Sequence, residues 1–133
     1  EAKTAYLCRV LTAGGADLRA TGSNVLSTQD DVAAALAAEG ISVYAVHGAS
    51  QDEYFKHIEM ALSHKPNIII DDGGDLTAML HGSREDLAEE VWGEVFEPAR
   101  PRGGGVAQRW RRARGPASAG TGPCDARGIV LQS

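Results

Sequence analysis

Asn67-Ile68-Ile69-Ile70-Asp71-Asp72-Gly73-Gly74-Asp75 is the stretch on which the fold turns. Three consecutive isoleucines bounded by Pro66 and by acids read as a buried β-strand, because β-branched side chains pack well on a pleated surface. Gly73-Gly74 then makes a tight turn. The acids fall at the carboxyl end of the strand, where open parallel sheets bind their ligands. Carboxylates this close repel one another, so at least one of Asp71, Asp72 and Asp75 needs a shifted pKa or a cationic or hydroxyl partner. A solvated acidic turn is the plain alternative. The letters also fit a D-D-x-x-D pattern that holds magnesium, but there the acids share one face of a helix. The isoleucines and the glycine pair argue against a helix here, and no metal site is expected.

The flanking segments alternate. Residues 51–64 read as a helix capped by Ser50, with Tyr54, Ile58 and Ala61 on one face and Pro66 barring its continuation. Residues 41–46 form a second strand. Residues 32–38 form a helix that Ser27 or Thr28 can cap, with Asp30 and Asp31 in its first turn. Residues 17–21 are a short strand, and 2–13 a helix with Ala5, Leu7, Cys8, Val10 and Leu11 on its apolar face. Downstream, 75–80 and 84–96 read as helices. The order α-β-α-β-α-β-α predicts an α/β fold, a Rossmann-like parallel sheet flanked by helices. Three strands are few for such a sheet, so further neighbours are expected on at least one side.

A second polar segment follows the strand at 17–21. Asn24, Ser27, Thr28 and Gln29 offer side chains that hydrogen-bond a sugar or a nucleobase. Neither a dinucleotide fingerprint, G-x-G-x-x-G, nor a P-loop is present. His47, His57, His64 and His81 show no metal-ligand spacing; only His47, just after a strand, stands near candidate chemistry. Cys8 reads as a small core residue. Two cysteines, Cys8 and Cys124, make no disulfide framework, which fits a reducing cytoplasm.

The 133 residues are 43% hydrophobic and 23% charged, ordinary for a globular protein, and no apolar run is long enough to span a membrane. Charge divides the chain. Residues 1–97 carry 6 Lys and Arg against 17 Asp and Glu; residues 98–133 carry 7 Arg and one acid, Asp125. Arg, Gly and Pro make up 18 of those last 36 residues, and only Val106, Trp110, Ile129, Val130 and Leu131 are large and apolar. So little burial cannot offset the entropy of ordering the segment. It reads as a low-complexity basic tail, disordered or translated out of frame from a GC-rich gene. A nucleic-acid arm built on Arg109, Arg111, Arg112 and Arg114 around Trp110 is the weaker reading.

Three stretches together resemble the S-adenosylhomocysteine hydrolase (adenosylhomocysteinase) family. They are Glu1-Ala2-Lys3-Thr4-Ala5, the run from Gly22 to Leu36 containing Ser27-Thr28-Gln29-Asp30, and Asn67 to Leu76 containing Asp71-Asp72-Gly73-Gly74-Asp75. The likeness covers about residues 1–93. It implies that residues 1–97 are part of a substrate-binding domain. The family splits S-adenosylhomocysteine reversibly to adenosine and homocysteine with a bound NAD, which oxidises the ribose 3′-hydroxyl and so acidifies the C4′ proton. The resemblance makes Asp72 the acid/base aspartate and places Ser27, Thr28 and Gln29 in the same cleft, with Glu1 and Lys3 near the adenine. It also implies a homotetramer for the intact enzyme.

The departures are as definite. After Val91-Trp92-Gly93 the family continues E-E-T-T-T-G, whereas this chain reads Glu94-Val95-Phe96-Glu97-Pro98. A frameshift near residues 93–98 accounts for this and for the change of composition. The first residue is Glu1, and no NAD-binding segment is seen, so the chain is read as an inactive fragment. A stand-alone nucleoside-binding module with a basic nucleic-acid-binding tail is the alternative.

Overall fold

Ile68–Gly73 forms a six-residue strand, as the isoleucine run requires, and every neighbouring element is placed around it. The computed structural model describes residues 2–88, 91, 93–98 and 128–132. In chain order the elements are α1 (Ala2–Ala13), β1 (Leu18–Thr21), α2 (Asp30–Ala38), β2 (Ser42–Tyr44), α3 (Gln51–Leu62), β3 (Ile68–Gly73), α4 (Asp75–Gly82), α5 (Glu85–Ala88), β4 (Gly93–Pro98) and β5 (Ile129–Gln132). Among the described residues the sheet has five strands in the order β2-β1-β5-β3-β4, and every pairing is parallel. The α/β expectation therefore holds, with two strands more than the sequence reading counted.

Strand alternation builds two cores, one on each face. Ile69 and Val130 meet Tyr54, Ile58, Leu62, Leu76, Leu80 and Leu87 from α3, α4 and α5. Leu18, Ala20, Ile129 and Leu131 meet Ala5, Cys8 and Leu36 from α1 and α2. Leu7 and Val10, read as part of the apolar face of α1, are exposed instead. Ser50 starts α3 as expected: its hydroxyl accepts the Glu53 N–H while Glu53 accepts the Ser50 N–H, a reciprocal capping box.

Three expectations are corrected. Residues 84–96 are not one helix: of the described residues there, Glu85–Ala88 is helical, and Gly93–Pro98 pairs with β3 in register Ile68↔Gly93 to Gly73↔Pro98. Gly93 resists a helix, while Val95 and Phe96 suit a strand. The cap of α2 is Gln29 rather than Ser27 or Thr28, and its side chain makes no capping bond. Residues 98–133 were read as a disordered or out-of-frame tail, yet within them Ile129–Gln132 fills the centre of the sheet between β1 and β3. Ile129, Val130 and Leu131 are all buried, each worth roughly 1.5–3 kcal/mol of transfer free energy as an upper bound. Residues 99–127, with Cys124 and the arginines around Trp110, lie outside the described residues.

Among the described residues the buried polar ones are Thr21, Asp71 and Gln132, and the register sets them side by side at the carboxyl ends of β1, β3 and β5. Each is bonded. The Thr21 hydroxyl donates to the Tyr44 carbonyl, Asp71 accepts from α4, and Gln132 bonds across three elements. This row floors the sheet end on which the polar loops sit.

Candidate functional site

Adjacent residues of a strand point to opposite faces, and this divides the acid cluster. Asp71 faces α4 and is buried. Its two oxygens accept the Gly74 N–H at 3.0 Å and the Thr77 N–H at 2.9 Å, so it caps the first turn of α4. Asp72 faces the other way and is exposed beside a cleft. Asp75 opens α4 and accepts the Tyr54 hydroxyl at 2.8 Å, the hydroxyl partner that the crowding of charge called for. Burial, reinforced by Asp75, pushes the Tyr54 phenol well up, so it stays a donor. Gly74 takes φ 93° and Gly73 φ 139°, backbone conformations that favour glycine.

The cleft has a volume of about 340 Å³ and lies over the carboxyl ends of β1 and β3, against α1 and α2. Its polar rim is Asn24, Ser27, Thr28, Gln29 and Asp72. Its inner wall is apolar and mostly small-sided, with Ala5, Cys8, Ala20, Val32 and Ala33. A flat ring fits against such a wall while polar groups stay at the rim. Burial pushes the Cys8 thiol up, so it is a neutral wall residue and no nucleophile.

The loop after β1 is held by its own residues. Asn24 Oδ1 accepts the Leu26 N–H at 2.8 Å, and the Ser27 hydroxyl donates to the Asn24 carbonyl at 2.9 Å. His47 anchors the next part: its backbone N–H donates to Asp30 at 2.8 Å, and its Nδ1, 3.0 Å from the Thr28 carbonyl, carries the proton that bond needs. His47 therefore holds the rim and does not line it. Gly22 lets the loop fold back, since a Cβ there would stand 3.1 Å from the Thr28 hydroxyl.

Five of the seven residues picked from sequence, Asn24, Ser27, Thr28, Gln29 and Asp72, thus meet at one cleft. Lys3 does not; it is exposed on α1, and its neighbour Thr4 lines the cleft. Thr4 was missed, although the helical position next to Lys3 was the available signal. Glu1 lies outside the described residues. Among the described residues no group of His, Cys, Asp and Glu could hold a metal ion, and no helix is long and apolar enough to cross a membrane.

The family model for S-adenosyl-L-homocysteine hydrolase matches residues 1–100. The chain belongs to that family. Over 97 residues it is 54% identical to an adenosylhomocysteinase of Pyrococcus abyssi and 53% identical to an S-inosyl-L-homocysteine hydrolase of Methanopyrus kandleri. Each match covers 73% of this chain and 23% of the relative. An adenosylhomocysteinase of Gloeothece citriformis is 51% identical over 96 residues, 71% of this chain and 22% of that protein. The chain thus spans under a quarter of the length of these relatives. The family match ends at residue 100, close to where the composition turns basic.

Proposed function

We propose that this chain forms part of the nucleoside cleft of an enzyme that splits S-adenosylhomocysteine reversibly into adenosine and homocysteine. One observation carries the reading: two loops far apart in sequence, 22–29 and 72–75, bring Asn24, Ser27, Thr28, Gln29 and Asp72 to a single cleft with an apolar wall. The wall takes the purine. The rim hydroxyls and carboxamides bond the ribose. The Asp72 carboxylate accepts a proton from the sugar and returns it, a task for an acceptor that is open to the ligand.

NAD is the cofactor the resemblance implies, and the described residues do not fit it. The strand-end turn presents carboxylates where a pyrophosphate needs amides, and the chain has no G-x-G-x-x-G. No step is therefore routed through NAD here. The 133-residue chain binds nucleoside without turnover, and a homotetramer belongs to the longer enzyme.

Calorimetric titration of the full chain with adenosine tests this. Binding is expected, with Asp72→Asn weaker by about tenfold, the loss of a charge-assisted hydrogen bond. Undiminished affinity in Asp72→Asn, or adenosine release from S-adenosylhomocysteine by the wild-type chain, would overturn the assignment.

A further inference from the structure

We propose that Tyr54 is a positioning residue that fixes the separation of the cleft's two polar loops. Its ring belongs to the α3 core, and its hydroxyl stands between the loops. That hydroxyl is 2.8 Å from Asp75 Oδ2 in the turn after β3 and 3.2 Å from the Ser23 carbonyl in the loop after β1. Both partners only accept, so they share its one proton, with the nearer carboxylate taking the larger part. The oxygen in turn accepts a bond from Gln132 Nε2 at 2.9 Å.

Gln132 makes a second tie between the same two loops. Its nitrogen donates to the Gly22 carbonyl at 3.2 Å, and its Oε1 accepts the Leu76 N–H at 2.9 Å. Gly22 and Ser23 on one side, and Asp75 and Leu76 on the other, are therefore bonded to one buried pair. The loops also touch directly, since a Cβ on Gly73 would stand 3.5 Å from Ser23 Cβ. Neither Tyr54 nor Gln132 lines the cleft, so both act through the loops. The distance they set is that from Asn24 and Ser27 to Asp72, the two sides that must grip one ligand. This inference rests on the nucleoside reading for its consequence but not for its geometry.

The test uses the full chain in two measurements. One is the proton–proton contact between the Ser23 side chain and Gly73 Hα, read by nuclear Overhauser effect without ligand. The other is adenosine affinity by calorimetry, at a temperature where circular dichroism shows each variant folded. Tyr54→Phe and Asp75→Ala are each expected to lose the contact and to weaken adenosine by about fivefold, the effect of one net hydrogen bond. The double variant is expected to be no weaker than either single one. Asp75→Asn keeps an acceptor oxygen and is expected to behave as wild type, a rescue that a merely structural role does not produce. If Tyr54→Phe does not fold, the two Asp75 variants make the same comparison. Retention of the contact in Tyr54→Phe, or its loss in Asp75→Asn as fully as in Asp75→Ala, overturns the proposal. If the contacts follow this pattern and adenosine does not bind at all, the positioning role stands and the nucleoside reading falls.

Discussion

Gln132 Oε1 accepts the Leu76 N–H at 2.9 Å although 56 residues separate them in sequence. The first turn of a helix leaves N–H groups without intrahelical partners, and at α4 the central strand supplies one acceptor and Asp71 another. Both Gln132 and Leu76 are fully buried. Gln132→Leu keeps the volume, removes the acceptor and leaves a buried N–H unpaired. A loss of about 1–3 kcal/mol in urea unfolding is expected. A loss below about 0.5 kcal/mol, the range of an indifferent surface change, would show that β5 is not seated between β1 and β3.

Asp71 and Asp72 are neighbours with opposite duties, and a crossed pair of variants separates them. Asp71→Asn offers one carbonyl oxygen where two N–H groups need acceptors, and it removes the negative charge at the positive end of α4. It is expected to cost about 2 kcal/mol of stability and to leave adenosine affinity nearly unchanged, because its side chain faces away from the cleft. Asp72→Asn is expected to do the reverse. Equal effects of the two variants on both quantities would refute the division.

How far the sequence could be read follows from where the controlling interactions lie. The β3 strand, the Ser50 start of α3 and the polar loop at 22–29 depend on residues near one another, and each was legible. The grouping of Ser27, Thr28 and Gln29 with Asp72 came from the family resemblance; the rule that open parallel sheets bind ligands at their strand ends marked the acid turn but did not join the two loops. The split between Asp71 and Asp72 needed only strand alternation, yet repulsion among like charges drew attention to the cluster as a whole. β5 was hidden for a different reason. Four residues behind a long Arg, Gly and Pro-rich stretch give no periodicity, and their burial comes from a slot that β1 and β3 create. Ile129-Val130-Leu131 was the one signal present. For 84–96, Leu87 and Val91 at helical spacing masked the glycine that ends the helical reading.

Gly128 leads into β5 under the ring of His64. Its carbonyl accepts the Asn67 N–H at 2.9 Å, while His64 Nε2 lies 3.2 Å from the Asp17 carbonyl. A Cβ on Gly128 would come within 2.7 Å of His64 Nε2 and 3.3 Å of Pro66 Cα. The ring cannot yield without giving up Asp17. Gly128→Ala is therefore expected to cost about 1–3 kcal/mol, as overpacking does, and His64→Ala in the same chain to recover most of it. Thermal melts of the single and double variants decide; additive losses would place the strain elsewhere.

Acid should loosen α3 at its start. The Ser50 N–H, and then its hydroxyl, hold the Glu53 carboxyl below the usual carboxylate range. A carboxyl lowered on folding stabilises the fold above its unfolded pKa, and that contribution is lost as pH falls through the folded value. Glu53→Gln keeps an acceptor and removes the titration. The variant is expected to be less stable than wild type near neutral pH, and the difference to shrink as pH falls below the ordinary Glu pKa of about 4.3 toward the lowered folded value. Parallel stability curves down to pH 3 would exclude this coupling.

The apolar wall of the cleft gives the most direct test of where a ligand sits. Ala33 lies on α2, half-buried, and lines the cleft. Ala33→Leu adds three carbons to that space at almost no cost in helix propensity. The side chain enters a cleft and displaces no packed neighbour, so stability should stay within about 0.5 kcal/mol of wild type. Adenosine affinity should fall at least about tenfold, because the purine and the new side chain compete for one volume. Calorimetry beside a thermal melt reads both. An Ala33→Leu chain that melts as wild type and binds adenosine as tightly would put the base outside this cleft, and Asp72 would then have no sugar within reach.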